Sequence, residues 1–108
     1  MLSIKPSLVE KDNWTVSDPT EHPTDTVSSI SWSKTSTVPT FATSCWDSHI
    51  RIYQVDTEKK TLAQTACLET DSPCLSVDWH PDGTQVFAGC ASGDIKGFDL
   101  ANSQGFNR

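Results

Sequence analysis

Three neighbouring residues, Asp47, Ser48 and His49, carry the side-chain types of a hydrolytic triad. A catalytic triad is a spatial arrangement in which each side chain bonds the next in series, and three neighbours on one tight turn cannot align in this way. Asp and Ser at a turn more often hydrogen-bond the nearby backbone. We therefore predict a structural role for Asp47 in this turn and no enzymatic activity for the chain.

Metal-ligating residue types are present, but they are not spaced for a metal site. The histidines His22, His49 and His80 and the four cysteines form neither a Cys-x-x-Cys nor a His-x-x-x-His pair. Zinc sites are typically built on such pairs. The segment "AGCASGD" at 88–94 also lacks the Lys of a phosphate-binding loop. We expect no metal and no cofactor.

The composition fits one small domain of 108 residues, with a formal net charge of −6 from 14 acidic and 8 basic residues. Binding to nucleic acid needs clustered Lys and Arg. The only adjacent basic pair, Lys59 and Lys60, follows the acidic Glu58. This segment is therefore a poor candidate for binding RNA or DNA.

The chain has no apolar run of the roughly 18 residues needed to span a bilayer, and no apolar N-terminal block long enough for a secretory signal. We expect a location in the nucleus or cytoplasm and no membrane insertion. In such a compartment cysteines stay reduced, and free Cys behaves as a small buried apolar residue. This expectation covers all four thiols: Cys45, Cys67, Cys74 and Cys90.

The chain contains an internal repeat. The segment "TVSSISWS" (26–33) aligns with "PCLSVDWH" (73–80) at an offset of 47, and "FATSCWDSHIRIYQV" (41–55) aligns with "VFAGCASGDIKGFDL" (86–100) at an offset of 45. The offset changes because the first copy has a loop two residues longer before its second strand. A period of about 45 residues lies in the range of a four-stranded propeller blade.

Each copy predicts strands rather than helices. Strict alternation in "VSSISW" would place Val27 and Ser31 on one face of a strand and Ser28 on the other. "HIRIYQV" is rich in β-branched and aromatic residues, which favours a strand covered on both faces, and "HPDG" is a strong turn signal. We expect an all-β fold of about two four-stranded antiparallel blades.

The predicted organisation is an N-terminal arm over 1–25, a first repeat over 26–71 and an incomplete second repeat over 72–108, with three strands and a final turn. The arm holds one candidate strand, "NWTV", which could supply the closing outer strand of a last blade. Pro19 and Pro23 disfavour regular structure in the rest of the arm.

These residues resemble the WD40 β-propeller family, in which a Trp-Asp pair closes the third strand of each blade. Asp47 stands six residues before Tyr53, where the family keeps an Asp that hydrogen-bonds the tight turn, and Ser92 stands there in the second copy. The two Trp that end the inner strands predict packing of one blade against the next. The repeat signature implied by the resemblance consists of Trp32, Trp79, Tyr53, Phe98 and Asp99.

A narrower resemblance covers "DTVSSISWS", "SCWDSHIRIYQV" and "DSPCLSVDWHPDGTQVFAGC". These segments are similar to the first two blades of the messenger-RNA export propellers (Rae/Gle type) at the nuclear pore, with the Bub-type spindle-checkpoint propellers as close relatives. The resemblance implies a scaffold that docks a short peptide of a nucleoporin or checkpoint kinase, the GLEBS motif, with Trp46 on the peptide-binding face. RNA would be contacted only by blades outside this segment.

Two alternatives to this reading stay open. Trp46 could pack against neighbouring loops and contact no ligand. The chain could also be a propeller fragment that self-associates through open strand edges, which invite pairing with another chain, because propellers typically have 4 to 8 blades and repeat proteins need about three or more units. The sequence does not separate an export partner from a checkpoint partner.

Overall fold

The structure is a computed structural model that describes residues 14–16, 20, 22–100 and 104–107. Within these residues, β-strands form two separate sheets, which we call sheet A and sheet B. No helix in this part of the chain has the length and apolarity needed to cross a membrane. The two sheets correspond to the two copies of the repeat, so the predicted all-β fold is confirmed.

Sheet A is built from five strands: β1 (Thr15–Val16), β2 (Val27–Trp32), β3 (Thr40–Cys45), β4 (His49–Asp56) and β5 (Thr61–Glu69). Their spatial order is β1-β5-β4-β3-β2, and the four strands of the first repeat pair in antiparallel fashion. Strand β4 is buried on both faces from Ile50 to Tyr53. Its β-branched and aromatic composition therefore predicted its position correctly.

Sheet B is built from four antiparallel strands in the order of the chain: β6 (Cys74–Trp79), β7 (Gln85–Cys90), β8 (Ile95–Asp99) and β9 (Gln104–Asn107). The sequence predicts three strands and a final turn for this copy, and the structure adds β9, which pairs with β8 from Lys96 to Asp99. The four residues "QGFN" show no apolar alternation. Sequence periodicity therefore could not predict β9, which is recognised only by its pairing with β8.

The N-terminal arm extends the first sheet. The candidate strand "NWTV" contains β1, which lies parallel to β5 with Thr15 opposite Thr61 and Val16 opposite Leu62. Most of the arm, including 1–13, lies outside the described residues. The arm thus has one short strand beside its own blade, and its use in closing a last blade stays a prediction.

The two copies match in detail. The loop between β2 and β3 covers 33–39 and the loop between β6 and β7 covers 80–84, which is two residues shorter. A bulge occurs at the same place in both inner strands, between Val27 and Ser29 and between Cys74 and Ser76. The predicted explanation of the change in offset from 47 to 45 is therefore correct: the loop between the first two strands is two residues longer in the first copy.

The bulge makes the predicted alternation in β2 wrong at Ser28. The Ser28 hydroxyl donates to the carbonyl oxygen of Cys74 at 2.7 Å, and the Ser31 hydroxyl donates to Asp78 Oδ1 at 3.0 Å. Both serines therefore point towards sheet B, although strict alternation places them on opposite faces. An extra residue in one strand of a pair shifts the side-chain order past the bulge.

The apolar core lies between the two sheets. The innermost strands β2 and β6 lie side by side, and the indole N–H of Trp79 donates to the carbonyl oxygen of Ser31 at 2.8 Å across this contact. The buried cluster combines residues of both sheets: Ala42, Ile50, Ile52, Leu68, Cys74, Val77, Val86, Ala88 and Phe98. Each sheet thus supplies one apolar face, which a single sheet in water could not bury.

The cysteines differ in burial. Cys45, Cys74 and Cys90 are buried, and burial raises the pKa of the Cys74 thiol. Cys67 is exposed, so the expectation that all four would be buried is wrong. Cys67 lies on β5 opposite Arg51 of β4, and β5 is next to the edge strand β1 in sheet A.

The hairpins between β3 and β4 and between β7 and β8 share one backbone design. The amide of Ser48 donates to the carbonyl oxygen of Cys45, and the amide of Gly93 donates to that of Cys90. Ser48 has φ 71° and Gly93 has φ 95°. Three-residue hairpin loops commonly end in such a left-handed residue, and this conformation is strained for any residue except Gly.

These two positions predict opposite effects of reciprocal substitutions. Gly93→Ser should lower the free energy of unfolding by about 1–2 kcal/mol, because a Ser side chain makes the left-handed backbone conformation at this position unfavourable. A Cβ there meets no atom within 4 Å, so no clash adds to the loss. Ser48→Gly should leave stability unchanged or raise it. Denaturant unfolding of both variants checks this, and a stability loss in Ser48→Gly larger than in Gly93→Ser would contradict it.

Candidate functional site

Trp46 lies at the tip of the β3–β4 hairpin and is 49 % exposed. Its backbone amide donates to the carbonyl oxygen of Thr26, just before β2, at 2.9 Å. In sheet B, Ala91 occupies the same place and its amide donates to the carbonyl oxygen of Pro73 at 2.8 Å. The two hairpins are therefore fixed to their inner strands in the same way, and the first presents a large aromatic ring where the second presents a methyl group.

The Asp47 carboxylate accepts five hydrogen bonds and fixes the turn beneath Trp46. Its Oδ1 accepts from the His49 amide at 3.1 Å and from Arg51 Nη1 at 3.2 Å. Its Oδ2 accepts from Arg51 Nη2 at 2.7 Å, from the Thr24 amide at 3.1 Å and from the Thr24 hydroxyl at 2.9 Å. The pair of parallel bonds from Arg51 is the strong two-pronged geometry of guanidinium and carboxylate. The turn is therefore tied both to β4 and to the segment before β2.

The ion pair between Asp47 and Arg51 is largely shielded from solvent, with side-chain exposures of 10 % and 7 %. Burial by itself raises the pKa of Asp47, but the bonds from Arg51 and then Thr24 outweigh burial and hold that pKa well below its usual value. Burial likewise lowers the pKa of Arg51, and the Asp47 carboxylate more than offsets it. Both groups stay charged near neutral pH.

The three neighbours that imitate a triad do not form a relay. Asp47 binds Arg51 and Thr24, and the carbonyl oxygen of Ser48 accepts from the amide and the hydroxyl of Thr70. The His49 Nδ1 lies 2.9 Å from the carbonyl oxygen of Asp47. Each of the three is thus used in holding the turn and the chain next to it.

The other histidines lie apart from this turn. His22 is exposed, and His80 Nδ1 lies 2.9 Å from Asp82 Oδ1 in the β6–β7 loop. Over the stretch that the structure describes, no group of three or more His, Cys, Asp and Glu side chains could hold a metal ion.

The second copy uses a different carboxylate at the same place. Ser92 replaces the turn Asp, and its hydroxyl donates to Asp94. Lys96, the equivalent of Arg51, donates from Nζ to Asp71 Oδ2 at 3.1 Å. Asp71 lies 47 residues after Thr24, so the acid has moved from the turn to the loop before the inner strand. The sequence showed that Arg51 and Lys96 are equivalent at the offset of 45. Their acidic partners are not equivalent to each other, because Asp71 aligns with Thr24 at the offset of 47 and Asp47 aligns with Ser92.

The signature residues fall into two environments. Trp79 packs against the core between the sheets, whereas Trp32 lies on the opposite side of sheet A and is 55 % exposed. Tyr53 and Phe98 are both buried at equivalent positions of β4 and β8. Asp99 ends β8 and is partly buried. The two Trp therefore differ in whether a preceding sheet covers them.

A family model of the WD domain, G-beta repeat, matches residues 14–54 and 61–99. The two matches together cover most of the chain, and the first ends within β4 while the second begins at the first residue of β5. The chain therefore belongs to the WD40 repeat family.

Among WD40 proteins, the chain is similar to messenger-RNA export factors. It is 35 % identical over 82 residues to the Poly(A)+ RNA export protein of Schizosaccharomyces pombe, covering 76 % of this chain and 22 % of that protein. It is 30 % identical over 83 residues to the mRNA export factor rae-1 of Caenorhabditis elegans, again covering 76 % and 22 %. The WD40 repeat protein poxJ of Penicillium oxalicum is 35 % identical over 78 residues, covering 72 % and 22 %. The chain thus spans only about a fifth of the length of these relatives.

The Asp47 network predicts a stability loss that depends on pH. Asp47→Asn should lower the free energy of unfolding by about 1.5–3 kcal/mol near pH 7, because it removes the charge that Arg51 binds. Folding lowers the pKa of Asp47, so the stabilisation by this group is fully present above the unfolded pKa of about 3.9. It is lost as the pH falls through the folded pKa.

Denaturant unfolding of wild type and variant between about pH 7 and pH 3 measures this effect. The difference between the two proteins should shrink as the pH falls. Asp71→Asn is the matched control, because the Asp71 side chain is 79 % exposed and an exposed pair contributes about 1 kcal/mol at most. Equal losses in the two variants, or a loss from Asp47→Asn that does not change with pH, would contradict the role given to the network.

Proposed function

We propose that this chain is part of a WD40 scaffold of the messenger-RNA export type, which docks a linear peptide through the face that carries Trp46. The partner class is a GLEBS-type segment of a nucleoporin, and the site of action is the nucleus and the nuclear pore. The similarity to proteins named as export factors supports the class of protein. The geometry of the hairpin supports the contact.

The single observation that carries the proposal is a half-exposed Trp on a clamped turn. Trp46 leaves half of its surface open to solvent while Asp47 and Arg51 hold the backbone beneath it. Trp is enriched among the residues that dominate binding energy at interfaces. A ring held in place before binding loses little conformational entropy when a peptide covers it.

The rest of the hairpin favours peptide docking over chemistry. The side chains of Asp47 and Arg51 bond each other, and Asp47 also accepts from the His49 amide and from Thr24. Such groups hold a shape but offer no free base or nucleophile. We therefore assign the chain a binding role without catalysis, metal or cofactor.

A titration of synthetic GLEBS-motif peptides, one from a nucleoporin and one from a checkpoint kinase, tests the proposal. We expect wild type to bind the nucleoporin peptide more tightly. Trp46→Ala should raise the Kd by about 30-fold, which corresponds to a loss of about 2 kcal/mol at an interface hot spot. Isothermal titration calorimetry on proteins with matching circular dichroism spectra measures both.

Trp14→Ala is the matched control. Trp14 is 41 % exposed and lines a pocket with Trp32, Phe41 and Leu62, at the other end of the strands from Trp46. This control should bind within about threefold of wild type, because it lies outside the proposed contact. A folded Trp46→Ala protein that binds as wild type does would overturn the role of Trp46. Tighter binding of the checkpoint peptide would move the proposal to the checkpoint class.

A further inference from the structure

Two buried thiols lie opposite each other in sheet B. Cys74 on β6 is the register partner of Cys90 on β7, and the two residues are 0 % and 6 % exposed. Both thiols are free, and the Cys90 thiol lies within hydrogen-bonding reach of the Cys74 thiol. The first copy has no such pair, because Val27 lies opposite Cys45 there.

The backbone around this pair has the geometry that a disulfide between strands needs. The Cys90 amide donates to the carbonyl oxygen of Asp94, away from β6, at 2.9 Å. The next amide, that of Ala91, donates to the carbonyl oxygen of Pro73 at 2.8 Å. Cys74 and Cys90 are therefore a non-hydrogen-bonded pair of the antiparallel ladder. The Cα atoms in such a pair are about 4.5 Å apart, and disulfides have Cα atoms about 4.4–6.8 Å apart.

We propose that Cys74 and Cys90 are a redox pair, which a peroxide converts reversibly into a disulfide between β6 and β7. The reduced pair is the resting state in a reducing compartment. The oxidised pair is transient there, as disulfides in such compartments usually are. The site belongs to the second copy alone, because the cysteine at the equivalent position of the first copy has no cysteine opposite it.

The oxidation has two steps whose atoms balance. In the first, the Cys90 thiolate attacks one oxygen of hydrogen peroxide, which leaves a sulfenic acid on Cys90 and releases hydroxide. The hydroxide takes up the proton that the Cys90 thiol gave up and becomes water. In the second step, the Cys74 sulfur attacks the sulfenic sulfur, and the hydroxyl group leaves with the Cys74 proton as a second water. Two thiols and one peroxide thus give one disulfide and two waters.

Burial sets the order of the two cysteines. Cys74 has no exposed surface, and burial raises the pKa of its thiol, so this thiol stays protonated. Cys90 keeps a small exposed fraction. Because oxidation of a thiol depends on its thiolate character and its exposure, Cys90 reacts with the peroxide first. Cys74 then acts as the resolving thiol.

The redox pair is connected to the hairpin that carries Trp46. The Cys74 thiol donates to the carbonyl oxygen of Ser72 at 3.9 Å and lies 3.1 Å from the Thr70 hydroxyl. The same hydroxyl donates to the carbonyl oxygen of Ser48, in the β3–β4 turn, at 3.0 Å. A disulfide has no S–H group, so oxidation removes one donor from this network. The hydrogen bonding beside the β3–β4 turn therefore differs between the two redox states.

Oxidation of the intact chain with hydrogen peroxide, alkylation of the remaining thiols and cleavage before Asp residues test the pair. This cleavage places each cysteine in a fragment of its own: 25–46, 56–70, 71–77 and 82–93. We expect mass spectrometry to find 71–77 joined to 82–93, with a mass lower by two hydrogen atoms than the sum of the two fragments. Dithiothreitol should restore both thiols. Cys45 in 25–46 is the matched control, because it is buried opposite Val27 and should stay available for alkylation after unfolding.

The same reaction in guanidinium chloride separates the native geometry from proximity along the chain. An unfolded chain closes a shorter loop more readily, and Cys67 is nearer to Cys74 in the sequence than Cys90 is. The unfolded chain should therefore join 56–70 to 71–77, whereas the folded chain should join 71–77 to 82–93. Cys45→Ser should keep the native product, and Cys90→Ser should lose it.

Two results on the wild-type chain would contradict the proposal, and neither depends on whether a variant folds. One is that peroxide oxidises the exposed Cys67 of the folded chain while Cys74 and Cys90 both stay reduced. The other is that the folded chain joins Cys74 to a cysteine other than Cys90, as the unfolded chain is expected to do.

Discussion

The packing of sheet B on one face of sheet A is the contact on which the rest of the structure depends. Neither sheet can bury its apolar side alone, because a domain needs at least two layers around one core. Val77 of sheet B and Ile50 of sheet A are both buried in the core that lies between the sheets, and the indole N–H of Trp79 donates to the carbonyl oxygen of Ser31 across the two inner strands. Sheet A and sheet B thus each contribute one face to the shared core.

The β3–β4 and β7–β8 hairpins have similar backbone geometry but use different charged pairs, Asp47 with Arg51 and Asp71 with Lys96. Both need a left-handed residue and a tie to the inner strand. In the first hairpin Asp47 supplies the carboxylate for Arg51, whereas in the second Asp71 supplies it for Lys96 from the preceding loop. The shielded network of the first copy coincides with the exposed Trp46. A turn held by several hydrogen bonds and an exposed aromatic ring therefore occur at the same hairpin, which is the basis for the binding role that we propose for it.

Much of the fold was predictable because the two copies of the repeat could be aligned with each other. The offsets located the strands, the difference in loop length and the equivalence of Arg51 with Lys96. The bulge at Ser28 was not predictable from alternation, because alternation assumes that no residue is inserted. The strand β9 carries no apolar pattern, and an apolar stretch of sequence around Cys67 does not show that its side chain is exposed. The partner of Lys96 lies 25 residues away, so only the folded chain brings that pair together.

The exchange of the Trp79 indole N–H with solvent tests the sheet-on-sheet contact most directly. This proton is bonded to Ser31 across the two sheets, so it should exchange with solvent deuterium much more slowly than the indole proton of the half-exposed Trp46. Assignment by single Trp-to-Phe substitutions and hydrogen exchange followed by NMR would measure both protons in the same sample. We predict slow exchange of the Trp79 indole proton and fast exchange of the Trp46 indole proton. Equal exchange rates at Trp79 and Trp46 would contradict the packing of the two sheets.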